Sequence, residues 1–178
     1  MDNPRTDNDN FAASRECFTE VLGWLQGPDA AALSHAELED QLDARGRELL
    51  RRMFQDHLSL RAMTERRLAG VRDAQVRAYG AVEAGHHRRL ATVFGEVEVT
   101  RLAYRRRGQA NLYPADAALN VPAERHSHGL RRLAAAEASR GSFEEAAAAL
   151  ERATGQPPGQ APGRGTDRPG RGRRQGVL

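Results

Sequence analysis

From Ser34 to about Leu68 one apolar pattern runs unbroken, and it limits the possible folds more than any other feature. Leu38, Leu42, Leu49, Met53 and Leu60 recur at steps of four and seven, the spacing that keeps side chains on one helical face. Leu50, Phe54, His57 and Leu58 widen that stripe. Ser34 with Glu37 three residues on forms a capping box, and Gly70 provides the stop. A helix of this span is about 50 Å long. A small body cannot cover it throughout, so it must pack against a first helix, a hairpin or a second copy of itself. On this reading His57 is a packed core histidine. Arg45, Arg47, Arg51, Arg52, Arg61, Arg66 and Arg67 lie among acids on the polar side, as a solvated face or a track along DNA.

Little apolar material is left to cover such a helix. Leu, Val and Phe make up 18% of the 178 residues, isoleucine is absent and alanine occurs 30 times. Any core is therefore thin. All 27 basic residues are arginine, a bias that a GC-rich genome produces without functional cause. No stretch approaches the roughly 18 apolar residues of a membrane helix. The polar N-terminus is not a signal peptide, and the lone Cys17 excludes an internal disulfide. A cytoplasmic protein is expected, nucleoid-associated if it binds DNA.

Charge divides sharply along the chain. Residues 156–178 carry five Arg and one acid, a net +4, whereas residues 1–155 are at −1. The tail has six Gly, four Pro and no aromatic, so it is expected to be disordered. It reads either as an RGG-like nucleic-acid tail or as GC-rich DNA translated out of frame.

Three further units precede the tail. Phe11, Phe18, Val21, Leu22 and Leu25 predict a short amphipathic helix over 11–25, ended by Gln26-Gly-Pro28. Period two then appears over 87–104. Gly95-Glu96 reads as a type II′ turn, pairing Phe94 with Val97, Thr92 with Val99 and Leu90 with Arg101. This places Leu90, Thr92, Phe94, Val97 and Val99 on one face. Gln75–Val82 is a weak candidate for a third strand, and 108–124 reads as a loop. Helices at about Ser127–Arg140 and Phe143–Ala153 come next, joined by a Gly-Ser turn whose Ser142 and Glu145 form a second capping box. They suggest a helix-turn-helix pair.

Arg105, Arg106 and Arg107 leave the second strand in succession. With Arg88, Arg89 and Arg101 they form the densest basic cluster outside the tail, and Arg131 and Arg132 lie on the next helix. Such a cluster can contact phosphates, or it can keep a strand end soluble and unpaired. His86-His87 and His126-Ser-His128 are read as surface or structural histidines, with no metal site expected. No phosphate loop, nucleophile elbow or zinc-protease motif is present, and no catalytic set is expected. The fold class expected is α+β and mainly α-helical, with a long N-terminal helix and one β-hairpin. Its segments are 1–70, 71–125, 126–155 and the tail 156–178.

Several of these segments resemble, in order, the insertion-sequence transposases of the ISKra type. Gly46-Arg-Glu-Leu-Leu-Arg-Arg-Met-Phe-Gln-Asp-His-Leu58 and onward resembles their N-terminal helix. Ala91-Thr-Val-Phe-Gly-Glu-Val-Glu-Val-Thr-Arg-Leu-Ala-Tyr-Arg105 resembles their hairpin. Tyr113–Pro122 resembles the segment after that hairpin, and His126-Ser-His-Gly-Leu-Arg-Arg-Leu-Ala and Gly141-Ser-Phe-Glu-Glu-Ala resemble their pre-catalytic helices. The resemblance covers about residues 40–155. It implies a DNA-binding and assembly role at transposon ends, and a homodimer through the long helix is expected. It also implies strand cleavage and joining by an RNase H-like domain with acidic residues and magnesium, C-terminal to all the matched segments. None of those acids maps onto this sequence, so no cofactor is expected here and the chain alone is expected not to be catalytic. The resemblance, the periodicity and the charge balance all change at residue 156, as a frameshift would produce. The alternative is a non-enzymatic helical interaction or regulatory module.

Overall fold

The computed structural model describes residues 9–154, and the tail lies outside the described residues. The order is α1 (Ala12–Leu25), α2 (Pro28–Ala31), α3 (His35–Thr64), β1 (Ala81–Thr92), β2 (Gly95–Arg105), α4 (Pro114–Ala118), α5 (His128–Ala138) and α6 (Phe143–Thr154). Among the described residues the fold is α+β, mainly helical, with one antiparallel hairpin.

Helix α3 starts where its cap dictates. Ser34 Oγ accepts from Glu37 N–H, and the Glu37 carboxylate accepts from Ser34 N–H at 2.8 Å. Its end falls at Thr64, four residues before the expected Leu68. Glu65 turns to extended backbone, and its carboxylate accepts from Leu102 N–H at 2.9 Å. Leu68 N–H then donates to the buried Tyr104 hydroxyl at 2.6 Å. Tertiary bonds to β2 thus replace the last helical turn.

The core lies between α3 and the hairpin. Leu58, Leu90, Val97 and Val99 are buried together, with Phe54 and Val121 packed against them. The two strands pair with Leu90 opposite Val97, Arg88 opposite Val99 and Thr92 opposite Gly95. The expected face is therefore right but the turn is not. Val93 and Phe94 form the two-residue loop, and each partner is displaced by four positions, an even number that preserves the face. Positive φ is needed at Gly95 (124°), after the turn rather than within it. Thr92 fixes this choice. Its buried hydroxyl donates to Gly95 O at 2.7 Å and accepts from Phe94 N–H at 3.2 Å.

A two-stranded sheet has two free edges, both open to unwanted pairing. Here other groups cover them. The Gln55 amide of α3 bonds both backbone groups of Glu98, at 2.8 and 3.1 Å. Glu65 takes Leu102 N–H, and Leu112 exchanges two backbone bonds of 2.9 Å with Tyr104. On the β1 edge, Ala91 N–H donates to Arg125 O and Ser127 N–H donates to Ala91 O, both at 2.8 Å.

Other expectations fail here. Gln75–Val82 is not a third strand. Asp73 accepts from the N–H groups of Gln75 and Arg77 and folds 71–79 into a turn, while Val82 belongs to β1. The 108–124 segment contains α4, a short helix begun by Pro114. The apolar stripe of α1 is only partly packed, Phe11 and Val21 being half-buried. Ser14 and Cys17 are buried, while Phe18, Leu22 and Leu25 are exposed. Polar anchors set that rotation. Ser14 N–H donates to Asp56 Oδ2 at 3.1 Å, and Trp24 lies under the Arg45 guanidinium at 4.1 Å. His57, expected in the core, is exposed on α3.

Candidate nucleic-acid interface

The eight arginines singled out by the sequence fall into three groups. Two of them are built into the fold. Arg101 is 7% exposed; its Nε lies 2.9 Å from Asp116 Oδ1, with the N–H off the line between them, and its guanidinium lies 4.2 Å over the Tyr113 ring. It cannot meet an external phosphate from there. Arg88 points its guanidinium at the carbonyls of Pro122 and Ala123, tying that loop to β1. Both occupy the inward face of the hairpin, where period two would normally place apolar groups.

A second group lies at the open end of the hairpin, around the exit of β2. Arg105, Arg106 and Arg107 are all exposed there. Arg105 Nη1 donates to Glu83 at 2.7 Å, and Arg106 Nη1 donates to Ala78 O at 3.0 Å. Arg67, on the segment after α3, donates to Gly80 O at 3.5 Å and joins this end. Its one acidic neighbour in these bonds, Glu83, is held below the ordinary carboxylate range by a hydrogen bond from His86 and by the charge of Arg105. It therefore stays ionised and neutralises part of the cluster.

The third group lies toward the turn. Arg89 projects outward, 3.2 Å from Glu96, and Arg125 reaches the other oxygen of that carboxylate at 3.7 Å. Arg131 pairs with Glu124 at 3.0 Å, and Arg132 is exposed on the same helix. Sequence reasoning missed Arg125. The backbone bonds between Ala91 and residues 125–127, with the Arg88 bonds to Pro122 and Ala123, bring it beside β1, and no local pattern signals them.

Register fixes the distance between the two exposed groups. Arg89 lies opposite Glu98, seven residues before Arg105 along β2. At about 3.3 Å per residue this is roughly 23 Å, or about seven base pairs at 3.4 Å each. The helix pair α5–α6 lies beyond the turn. Ser127 caps α5 by accepting from Leu130 N–H, and Ser142 with Glu145 caps α6. Among the described side chains of α6, Glu144, Glu145, Ala148 and Glu151 are exposed. Carboxylates at those positions would repel phosphate, so α6 is poorly suited to enter a groove.

Among the described residues no group of three or more His, Cys, Asp or Glu is placed to hold a metal ion, and no helix is long and apolar enough to cross a membrane. His86 lies 3.3 Å from Glu83 and tilts toward Tyr113; His87, His126 and His128 are exposed. A cavity of about 450 Å³ lies between α3, β2 and α4. Its charged lining is Arg61, Glu65 and Arg66, and Glu65 is already bonded to Leu102. This set contains no acid–base couple.

No curated protein and no solved structure matches the chain. One family model does match, over residues 30–158, described as an uncharacterised protein family, UPF0236. That span takes in every element from α3 to α6 and thus both exposed arginine groups, and the chain belongs to the UPF0236 family.

Proposed function

We propose that this chain is the DNA-binding and assembly portion of an insertion-sequence transposase, with the hairpin laid against the phosphate backbone. The observation that carries the reading is the spacing of exposed guanidiniums. Arg105, Arg106 and Arg107 lie at one end of the strands, and Arg89, Arg125, Arg131 and Arg132 lie toward the other. The guanidiniums between them, Arg88 and Arg101, are turned inward. Two clusters about 23 Å apart can hold one duplex at two points. They position the protein without reading bases, so sequence choice would come from DNA shape or from other segments. The order of segments that resembles ISKra-type transposases supplies the transposition half of the reading.

Binding of the full chain to a labelled duplex from a transposon end, with a scrambled duplex as competitor, tests this. The control is a chain in which Arg164, Arg168, Arg171, Arg173 and Arg174 of the tail are changed to Ser. Retained binding in this control, lost on changing Arg105, Arg106 and Arg107 to Ala, supports the reading. Binding that disappears with the tail arginines alone overturns it and leaves a non-specific basic tail on an interaction module.

A further inference from the structure

We infer that the α1–α3 pair is an isologous dimerisation face, on which a second copy of this chain lies with its α3 antiparallel to the first. The inference is independent of DNA binding. It begins from the part of the long helix that the fold leaves bare. On α3, Phe54, Gln55 and Leu58 face the hairpin, while Arg45 and Asp56 face α1. At 100° per residue, Gly46, Leu50, Met53 and His57 fall between those two contacts, in a row spaced four, three and four. Leu50 is 45% exposed and Met53 46% exposed. Phe18, Leu22 and Leu25 of α1, at 50, 42 and 38% exposed, lie on the flank of α1 that adjoins this row. Helical geometry and the antiparallel anchors Ser14–Asp56 and Trp24–Arg45 place them there. The two helices therefore present one continuous apolar face. Counting 1.5 Å per residue and a width of about 10 Å, the full lengths of α3 and α1 project roughly 650 Å² per copy, of which the apolar row and flank supply roughly 300 Å². The full area suits the lower range of specific interfaces.

Two further features select a second copy as the occupant. The first is charge. By the same helical geometry, Glu39 and Asp43 flank this row in the first half of α3 and Arg61 flanks it in the second. The helix is 30 residues long, so Leu50 and Met53 lie beside its midpoint. A two-fold axis between them sets the acidic flank of each copy against the basic flank of the other, with Leu50 opposite Met53 and Gly46 opposite His57. A parallel pair would oppose like charges along its length. The second is Gly46. Glycine inside a helix is destabilising relative to Ala, yet a Cβ at Gly46 would meet nothing within 4 Å. Among the described residues nothing near Gly46 requires it. A partner helix approaching closely at that point does.

Sedimentation velocity on the full chain tests this, with circular dichroism to verify folding. The wild type should be a dimer whose association weakens by about tenfold or more on Leu50→Glu with Met53→Glu. Gly46→Leu should do the same while keeping full helicity, because leucine has room in a single copy and none beneath a partner helix. In a Cys17→Ser background, Gly46→Cys mixed with His57→Cys should cross-link under mild oxidation, and His57→Cys alone should not. A monomer at every concentration, or a dimer indifferent to these substitutions, overturns the inference. His57→Cys cross-linking to itself overturns the antiparallel arrangement.

Discussion

Removing Asp116 should destabilise the protein more than removing Arg101, although the two form one ion pair. Arg101 is 7% exposed, whereas the Asp116 side chain is 23% exposed. Asp116→Ala strands a guanidinium in the interior. Breaking a buried pair from one side costs about 3–5 kcal/mol. Two contacts survive to soften that loss: the Tyr113 ring at 4.2 Å and Val99 O at 3.3 Å. The partial hydration of the site softens it further. About 2–3 kcal/mol remains, a large share of the stability of a single domain. Arg101→Met instead leaves a carboxylate that already reaches water, and the methionine stem refills most of the space. About 1–2 kcal/mol is expected there. Urea unfolding followed by circular dichroism measures both, and the double variant should fall below their sum because the partners couple. The reasoning fails if Asp116→Ala lies within about 0.5 kcal/mol of wild type. It also fails if Arg101→Met abolishes DNA binding at unchanged stability, since Arg101 would then be a phosphate contact.

Two smaller predictions test the surroundings of the hairpin and the polar side of α3. Gln55→Ala uncovers both backbone groups of Glu98 on an edge strand; a loss of about 1 kcal/mol in urea unfolding is expected, with increased light scattering from edge-to-edge association. Glu48 receives two hydrogen bonds from Arg51 and one from Arg52, which hold its carboxyl at about 2 against an ordinary 4.5. Because the folded value is depressed, its contribution to stability is present above pH 4.5 and is lost as pH falls through about 2. The contribution is modest, since the side chain is 41% exposed. Glu48→Gln should flatten the stability profile across that window while leaving the pH 2 end unchanged.

Features encoded within a few residues were legible in the sequence. The Ser34–Glu37 and Ser142–Glu145 boxes begin helices where expected, because each cap lies within one turn of the groups it caps. The inward face of the hairpin was legible too, since period two fixes parity. Its turn was not. Gly95 carries the needed positive φ in either arrangement, and the Thr92 hydroxyl decides between them. The packed face of α1 was not legible because Asp56 and Arg45, more than 20 positions away in the chain, set its rotation. Non-local partners equally divided the arginines. Nothing beside Arg101 in the sequence announces Asp116 and Tyr113, whereas the exposure of Arg105, Arg106 and Arg107 follows from their position at a strand end.

The salt dependence of duplex binding tests the central claim most directly. Each phosphate contact contributes about −0.9 to the slope of log affinity against log salt. If Arg105, Arg106 and Arg107 each neutralise one phosphate, changing all three to Ala should reduce the slope by about 2–3 for any duplex sequence. An unchanged slope in that variant, or no binding by the wild type at about 50 mM salt, would contradict the account.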